Sequence, residues 1–501
     1  MATVETILSR VIPEQLMPNV MMTQQRRDPF LGDIRASSSG VTRLGVGTSG
    51  WRWERALGLG LGGVARFVST AGPTIKTATQ PMVMYSEQQT YPNAMDATTP
   101  GYDKMIGTLS QLRGNVVLDE ALLRENEHAA IITDVYRDIM AGLSLRLFLM
   151  RASAWHTPNA ITRHICSISG WATGGSPDGS TGSFIPAEGN EVLFHEGMLV
   201  DIFLFDPAGN GGAGAATFRY TAAGTYDATK KVMVIAVDPT VRKVYLADVD
   251  GAATMKASAN VVADGDIVVH AGQLAISAAG AVPVAYGPFG YVDFLVNSGS
   301  ILGVDTAVFQ RLKSFINTNL GGPWTEDVAD LYFMAYHRWQ MENKIDRLYM
   351  TPGTELAHKR TMNGMFRADR TGKPKKIVGG FFTAAVHVHD GQEVEYVGTP
   401  FMRSGLVVGT VMQNNYEELQ PPRVPGSGSY GGIENGIEFK NRNGVYDSIF
   451  SIVSNAPSGG GATTASTLRE APFCLWTQIW PMRVLSGILC AGVTEANLSL
   501  S

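Results

Sequence analysis

The chain has 501 residues, more than one hydrophobic core normally serves, so two or three packed units are expected. A formal charge of -5 without any basic run excludes a protein that grips nucleic acid by neutralising phosphates. Only 17% of residues are charged and 56 are glycine, a balance that suits large surfaces ending against other protein.

Cys166, Cys474 and Cys490 form an odd set without metal-ligand spacing, so buried free thiols are expected rather than disulfides or a zinc site. The N-terminal stretch carries Glu5 and Arg10 and no apolar core of signal-peptide length, and nowhere do about 18 apolar residues run together. The expectation is a chain that is neither secreted by the usual route nor membrane-spanning.

Residues 1 to about 40 show a short helical pattern (Val4, Ile7, Leu8, Val11) broken by Pro13 and Pro18, then RRDPF and a Ser run, which reads as an extended arm with little core of its own. From Val41 to Pro100 the sequence is Gly-rich and aromatic-tipped. It fits a long two-stranded projecting loop, because such a hairpin buries too little apolar area to stand alone. KMIGTLSQLRGNVVL alternates as one more strand.

The longest helical pattern runs from Asn115 to about Met150. Leu118, Leu122, Ala129, Ile132, Tyr136, Ile139, Leu143 and Leu147 form one stripe, with Glu120, Arg124, Glu127, Asp134, Arg137 and Asp138 between them. Asn115 or Asp119 can cap its start, and Pro158 forbids continuation much beyond Trp155. At about 1.5 Å per residue, such a rod is on the order of 50 Å long.

After Trp155, short apolar runs alternate with turns: LVDIFLF to DPAGN, KKVMVIAV to DPT, KVYLA to DVDG, and DIVVHAG. Four strands over roughly Glu188 to Gly272 are expected to form an inserted antiparallel barrel or sandwich. PFGYVDFLVNSGSILGVDTAVFQRLKSFINTN is a linker with helical character from Thr306. A helix follows, capped by Thr325, with Val328, Leu331, Tyr332, Ala335 and Trp339 as its apolar face and an end near Asn343. Strand DRLYMTP, the helix-like TELAHKRTM and strands in KIVGGFFTAAVHV, EVEYVGTPFM and GLVVGTVMQ then describe an α+β unit. A Gly/Ser/Pro-rich loop leads into two apolar strands, FCLWTQIWPM and VLSGILCAGV, expected to return beneath the long helix.

Motifs for chemistry are few. Gly58, Gly60 and Gly63 have dinucleotide-fingerprint spacing, but no helix pattern follows and no acid lies about twenty residues on, so loop flexibility is the better reading and no cofactor is expected. His387, His389 and Asp390 in VHVHD lack a third distant ligand, so no metal is expected. Glu125, Glu127, His128 and Asp134 follow the solvated side of the long helix. No nucleophile elbow, Walker loop or HExxH occurs, and no enzyme is expected. Trp51 and Trp53, flanked by Arg52, Glu54 and Arg55, sit on a segment that offers no internal burial, so Trp51, Arg52, Trp53 and Arg55 are candidate contacts to another subunit.

The order of these elements resembles a tailed-bacteriophage major capsid protein of the HK97 fold. The resemblance rests on YDKMIGTLSQLRGNVVLDEALL, PFGYVDFLVNSGSILGVDTAVF, and NKIDRLYMTPGTELAHK followed by VEYVGTPFMRSGLVVG. It implies an α+β fold with an N-arm at 1–40, an E-loop at 41–100, a P-domain with the spine helix at 101–187 and a β-rich insertion domain at 188–285. An A-domain with its linker would occupy 286–420, and a Gly-rich loop with strands returning to the P-domain 421–501. It further implies a shell of hexamers and pentamers around double-stranded DNA, with separate scaffold, portal and possible decoration proteins as partners, assembled in the host cytoplasm. Some relatives crosslink a loop Lys to an Asn. Lys76 is the only Lys before Lys104, no partner constellation is identifiable, and no crosslink is expected. The alternatives are an encapsulin-like nonviral shell and a metal-dependent enzyme built on His387 and His389.

Overall fold

The structure is a computed structural model describing residues 29–44, 50–58, 102–119, 142, 145–156, 162–173, 181–221, 224–227, 232–249, 261–298, 300–301, 304–305, 312–339, 344–366, 385–389, 392–412, 415–423, 430–434, 437–440, 451–452, 468–482 and 486–495. Among these residues the chain forms three large sheets.

The body sheet is organised on one long strand, Leu468–Pro481, which pairs antiparallel with Ser110–Asp119 over ten residues, from Leu468↔Asp119 to Thr477↔Ser110. Its other end pairs with Tyr416–Leu419, which in turn holds Arg35–Ser37 in parallel register. FCLWTQIWPM therefore lies within this sheet. The helix expected from Asn115 does not start there, because Asn115–Asp119 is strand. Val116 and Val117 are β-branched, and the long-range ladder satisfies their backbone groups. The chain is helical over 145–156, with Leu147, Phe148, Ala152 and Trp155 buried, and residues 120–141 lie outside the described ones.

The inserted unit is a closed barrel. Val232–Asp238, Lys243–Asp248, Gly182–Pro186, Cys166–Thr173, Ile267–His270 and Leu199–Asp206 follow one another around it, and Val232↔Val200 closes the ring. Ala215–Phe218 hangs on the outer edge of Leu199–Asp206. Alternate side chains Val200, Ile202, Val232, Val234, Val244 and Leu246 are fully or almost fully buried, as a filled small barrel requires. The expected start near 188 is too late, since Cys166–Thr173 and Gly182–Pro186 are integral staves. Their runs, CSISGWAT and GSFIP, have too little apolar alternation to announce strands.

The distal sheet runs Phe315–Asn317, Ile488–Cys490, Val407–Thr410, Arg347–Met350, Gln392–Gly398, Ala385–His389. Helices Glu326–Trp339 and Pro352–Phe366 accompany it. Phe315–Asn317 lies where helical character was expected. VLSGILCAGV does not return to the body: Ile488–Cys490 pairs parallel with Phe315–Asn317 and antiparallel with Val407–Thr410. The two closing strands thus separate, one into each sheet. The last described residues are fastened here too, with Glu495 accepting hydrogen bonds from Ser404 Oγ (2.7 Å), the Gly405 amide (2.7 Å), Thr354 Oγ1 (3.2 Å) and Thr351 Oγ1.

The segment expected to be an arm without core carries a core residue. Phe30, in the short helix Pro29–Asp33, is fully buried. Its ring stacks on Tyr291 at 4.2 Å and meets Trp155, His156, Tyr349 and Tyr416 edge-on at 5.7 to 6.1 Å. Those partners come from helix 145–156, the linker, the distal sheet and the body sheet, so one side chain joins all of them. Residues 1–28 lie outside the described ones.

Candidate assembly surfaces

All four residues nominated as contacts to another subunit make contacts within the chain, and of them Arg52 keeps the most exposed side chain. Trp51 and Trp53 are 7% and 3% exposed. They lie on Trp51–Gly58, between Val41–Arg43 and Tyr102–Thr108, and Trp53 packs at 4.9 Å on Trp480 of the long body strand. Gly107 lies directly across from Trp53, and a Cβ there would come within 2.6 Å of the indole, so glycine makes the room. Arg55 donates to Glu417 at 2.7 Å and to Ser37 Oγ at 3.1 Å. Arg52 pairs with Glu54 at 2.5 Å and stays partly exposed. Trp53 reads as unburied because the tryptophan it packs on lies more than 400 residues away in sequence, beyond any local pattern.

The same three strands form the root of the Gly-rich segment. Trp51–Gly58 and Tyr102–Thr108 pair antiparallel up to Gly58↔Tyr102, so the chain leaves and re-enters the body at adjacent positions. Residues 59–101, including Gly60 and Gly63, lie outside the described ones.

Groups suggestive of chemistry are placed as structural parts. Ser153 Oγ on helix 145–156 hydrogen-bonds at 2.7 Å with His270 Nε2 of the barrel. Both are buried, and burial, then the neighbouring His195, pushes the His270 pKa down to about 3. Neutral and sealed off, this pair fastens barrel to helix. Asp201 beside it is pushed up to about 6 by burial, against the hydrogen bonds it accepts from the Gly272 amide and Tyr226. Arg151 and Glu418, both buried, form an ion pair between the helix and the body sheet, and Thr477 Oγ1 donates to the same Glu418 oxygen. The three cysteines are free and buried, as expected.

His387 and His389 lie on Ala385–His389 opposite Val394 and Gln392, and Asp390 lies outside the described residues. Among the described residues no group of three His, Cys, Asp or Glu is placed to hold a metal ion, and no helix is long and apolar enough to cross a membrane.

Among the exposed large hydrophobic side chains of the described residues, two groups share one face of an element. Val282, Val284 and Tyr286 alternate along one extended segment at 45%, 54% and 60% exposure. On Glu326–Trp339, Thr325 caps the helix through the Val328 amide (3.4 Å), as expected. Its fully buried residues, however, are Ala329, Phe333 and Tyr336; of the expected face Val328 and Tyr332 pack partly buried against the same core, while Leu331, together with Met334, points outward at 66% and 63%. The expected face, which included Leu331, lies about 100° round the helix from the one the core uses.

No family model matches the chain, and no curated protein matches it. Among solved structures, the chain is similar to the capsid asymmetric unit of cyanophage A-1(L), at 9% identity over 93% of each chain with a TM-score of 0.41. The procapsid of satellite phage P4, which includes the size determination (Sid) protein, matches at 9% identity over 95% of this chain and 90% of that one, with a TM-score of 0.32. The holo-SrpI encapsulin complex from Synechococcus elongatus matches at 11% identity over 42% of this chain and 59% of that one, with a TM-score of 0.23.

Proposed function

We propose that this chain is the major capsid protein of a tailed bacteriophage, a structural protein that self-assembles as hexamers and pentamers into an icosahedral shell enclosing double-stranded DNA. In the terms of the HK97 fold, the body sheet with helix 145–156 is the P-domain and the end of the spine. The distal sheet is the A-domain, the barrel is the insertion domain, and residues 1 to about 40 are the arm.

The observation that supports this reading best is the rooting of the Gly-rich segment. It departs from and returns to a paired strand base whose two tryptophans are locked into the body core. A loop anchored so firmly at one end is built to transmit load to whatever its far end reaches, which suits an E-loop lying on a neighbouring subunit. The near-neutral, slightly acidic chain also suits a container, because a basic lining would hold packaged DNA too tightly for release. Affinity in such a shell is spread over many weak contacts and stabilised by multivalency. Scaffold, portal and possible decoration proteins are its partners, and the virion capsid is its destination after assembly in the host cytoplasm.

Electron microscopy of the purified chain tests this. Closed particles tens of nanometres across are expected, and only small soluble species, under conditions where a control capsid protein assembles, would refute it. Nuclease-protected DNA inside particles made in infected cells distinguishes a genome container from a compartment loaded with enzyme.

A further inference from the structure

Among the described residues, Arg163, Asn210 and Arg242 are the non-glycine positions with a left-handed backbone. Asn210 and Arg242 lie on exposed turns, whereas Arg163, at a φ of 49°, is only 7% exposed. Such a backbone is strained for an arginine, and strain held inside a fold persists only where the surroundings over-determine it.

The side chain of Arg163 is as unusual as its backbone. Its guanidinium lies over the ring of Phe289, 4.1 Å from the centroid. Burial pushes its pKa down, and the charge of Asp293 acts against that. Nε and Nη1 are sealed from water, and no acceptor in the protein meets either of them. A buried cation with unmet N–H groups is costly, so an acceptor from outside the chain is called for.

The neighbours show where it would sit. Gln273 Oε1 accepts the His270 amide at 3.2 Å, which leaves Nε2 as the end of that side chain nearest Gly287. A Cβ on Gly287 would lie 2.8 Å from Gln273 Nε2 and 3.5 Å from Arg163 Nη1. Two donors, one of them charged, therefore face the side of Gly287 that carries no side chain, and such a pair suits an oxyanion. Asp293 already offsets part of the single positive charge, which favours a monoanion over a phosphate dianion. Gly287 is buried and Gln273 is 9% exposed, so the ligand must be small. We infer that Arg163 and Gln273, across Gly287, bind a small free carboxylate, with one oxygen on Arg163 Nη1 and the other on Gln273 Nε2.

The site lies where three parts of the chain meet. Arg163 leads into Cys166–Thr173, Gln273 follows Ile267–His270, and the Phe289 amide donates to Gln478 Oε1 of the long body strand at 3.3 Å. A ligand held there ties barrel to linker, and its occupancy is read as stability.

The test is thermal unfolding of the full chain at pH 7 and constant ionic strength, with sodium acetate replacing sodium chloride. The melting temperature should rise with acetate and follow the logarithmic law of a single site. Gly287→Ala should fold, because its methyl group meets only the movable side chains of Gln273 and Arg163, and should lose the rise. Gln273→Ala should raise the half-saturating acetate concentration about tenfold. Arg163→Gly takes a positive φ without strain and should lose the rise as well. If it does not fold, Gly287→Ala decides alone.

No rise with acetate, or a rise that survives Gly287→Ala, overturns the inference. Inorganic phosphate acting at lower concentration than acetate refutes the preference for a carboxylate. Self-association weakened by Gly287→Ala without any acetate response overturns the free ligand and assigns the carboxylate to an acidic side chain of a neighbouring copy. The acetate titration does not depend on particle formation, so this site and the shell reading stand or fall separately.

Discussion

Replacing His270 with Gln isolates how acid acts on the seam between barrel and helix. Its folded pKa, about 3, lies below the value of 6.5 for an unfolded His. As pH falls, the unfolded chain takes up the proton first, so the stability contributed by neutral His270 is complete above about pH 6.5 and lost on the way down to 3. Each pH unit is worth about 1.4 kcal/mol, which gives about 3 kcal/mol lost between pH 6.5 and 4. Asp201 works in the opposite sense. Its folded pKa of about 6 exceeds 3.8, so the folded chain takes up that proton first and gains stability as pH falls from 6 to 3.8, again by about 3 kcal/mol. The two nearly cancel over that range, and a flat profile of the parent protein would be uninformative. The difference between parent and His270→Gln is informative. In urea unfolding of the unassembled chain, followed by circular dichroism at pH 4, 5, 6 and 7, that difference should shift by about 3 kcal/mol in favour of the variant at low pH. A difference that does not change with pH refutes the reasoning. Asp201→Asn should do the converse and steepen the acid loss.

Phe30→Ala empties the aromatic site shared by five rings and should cost about 3–5 kcal/mol, with Pro29–Ser37 becoming open to protease; an unchanged melting temperature would contradict its place in the core. Arg151→Met leaves Glu418 buried with no cation and should cost about 3–5 kcal/mol, whereas the pair Arg151→Met with Glu418→Gln should recover most of that loss in the same unfolding assay. Glu495→Gln weakens four hydrogen bonds at the last described residue and should lower stability by about 1–2 kcal/mol, read as faster trimming by carboxypeptidase.

What could be read from the sequence divides along physical lines. Leu199–Asp206, Val232–Asp238, Lys243–Asp248 and Ile267–His270 were legible because Asp-Pro, Asp-Gly and Gly turns punctuate apolar runs, and strand chemistry there is local. Cys166–Thr173 was not, since it borrows its order from neighbours on either side of the barrel. The end of Ser110–Asp119 was misread for a related reason. NVVLD satisfies a helical spacing by itself, and only its ten-residue ladder with a segment some 350 positions later decides for strand. The separate destinations of FCLWTQIWPM and VLSGILCAGV are likewise invisible to composition, because both are apolar enough for any sheet.

The candidate contacts show the same limit in a form that bears on assembly. Trp51 and Trp53 have the residue types that dominate interfaces, yet their apolar area is already spent inside the chain, and Arg55 is tied to Glu417. The residues that stay available are different in kind: a partly exposed Arg52, an alternating Val282, Val284 and Tyr286, and the helix pair Leu331 and Met334. None of these is large enough to bind a partner tightly alone. A shell must close without trapping wrong intermediates, and that favours contacts weak enough to break and re-form until many hold at once. On the proposed reading, tryptophans that stiffen the paired base at Gly58↔Tyr102, rather than grip a neighbour directly, fit that requirement, because they hold the strand base in place and leave intersubunit contacts weak.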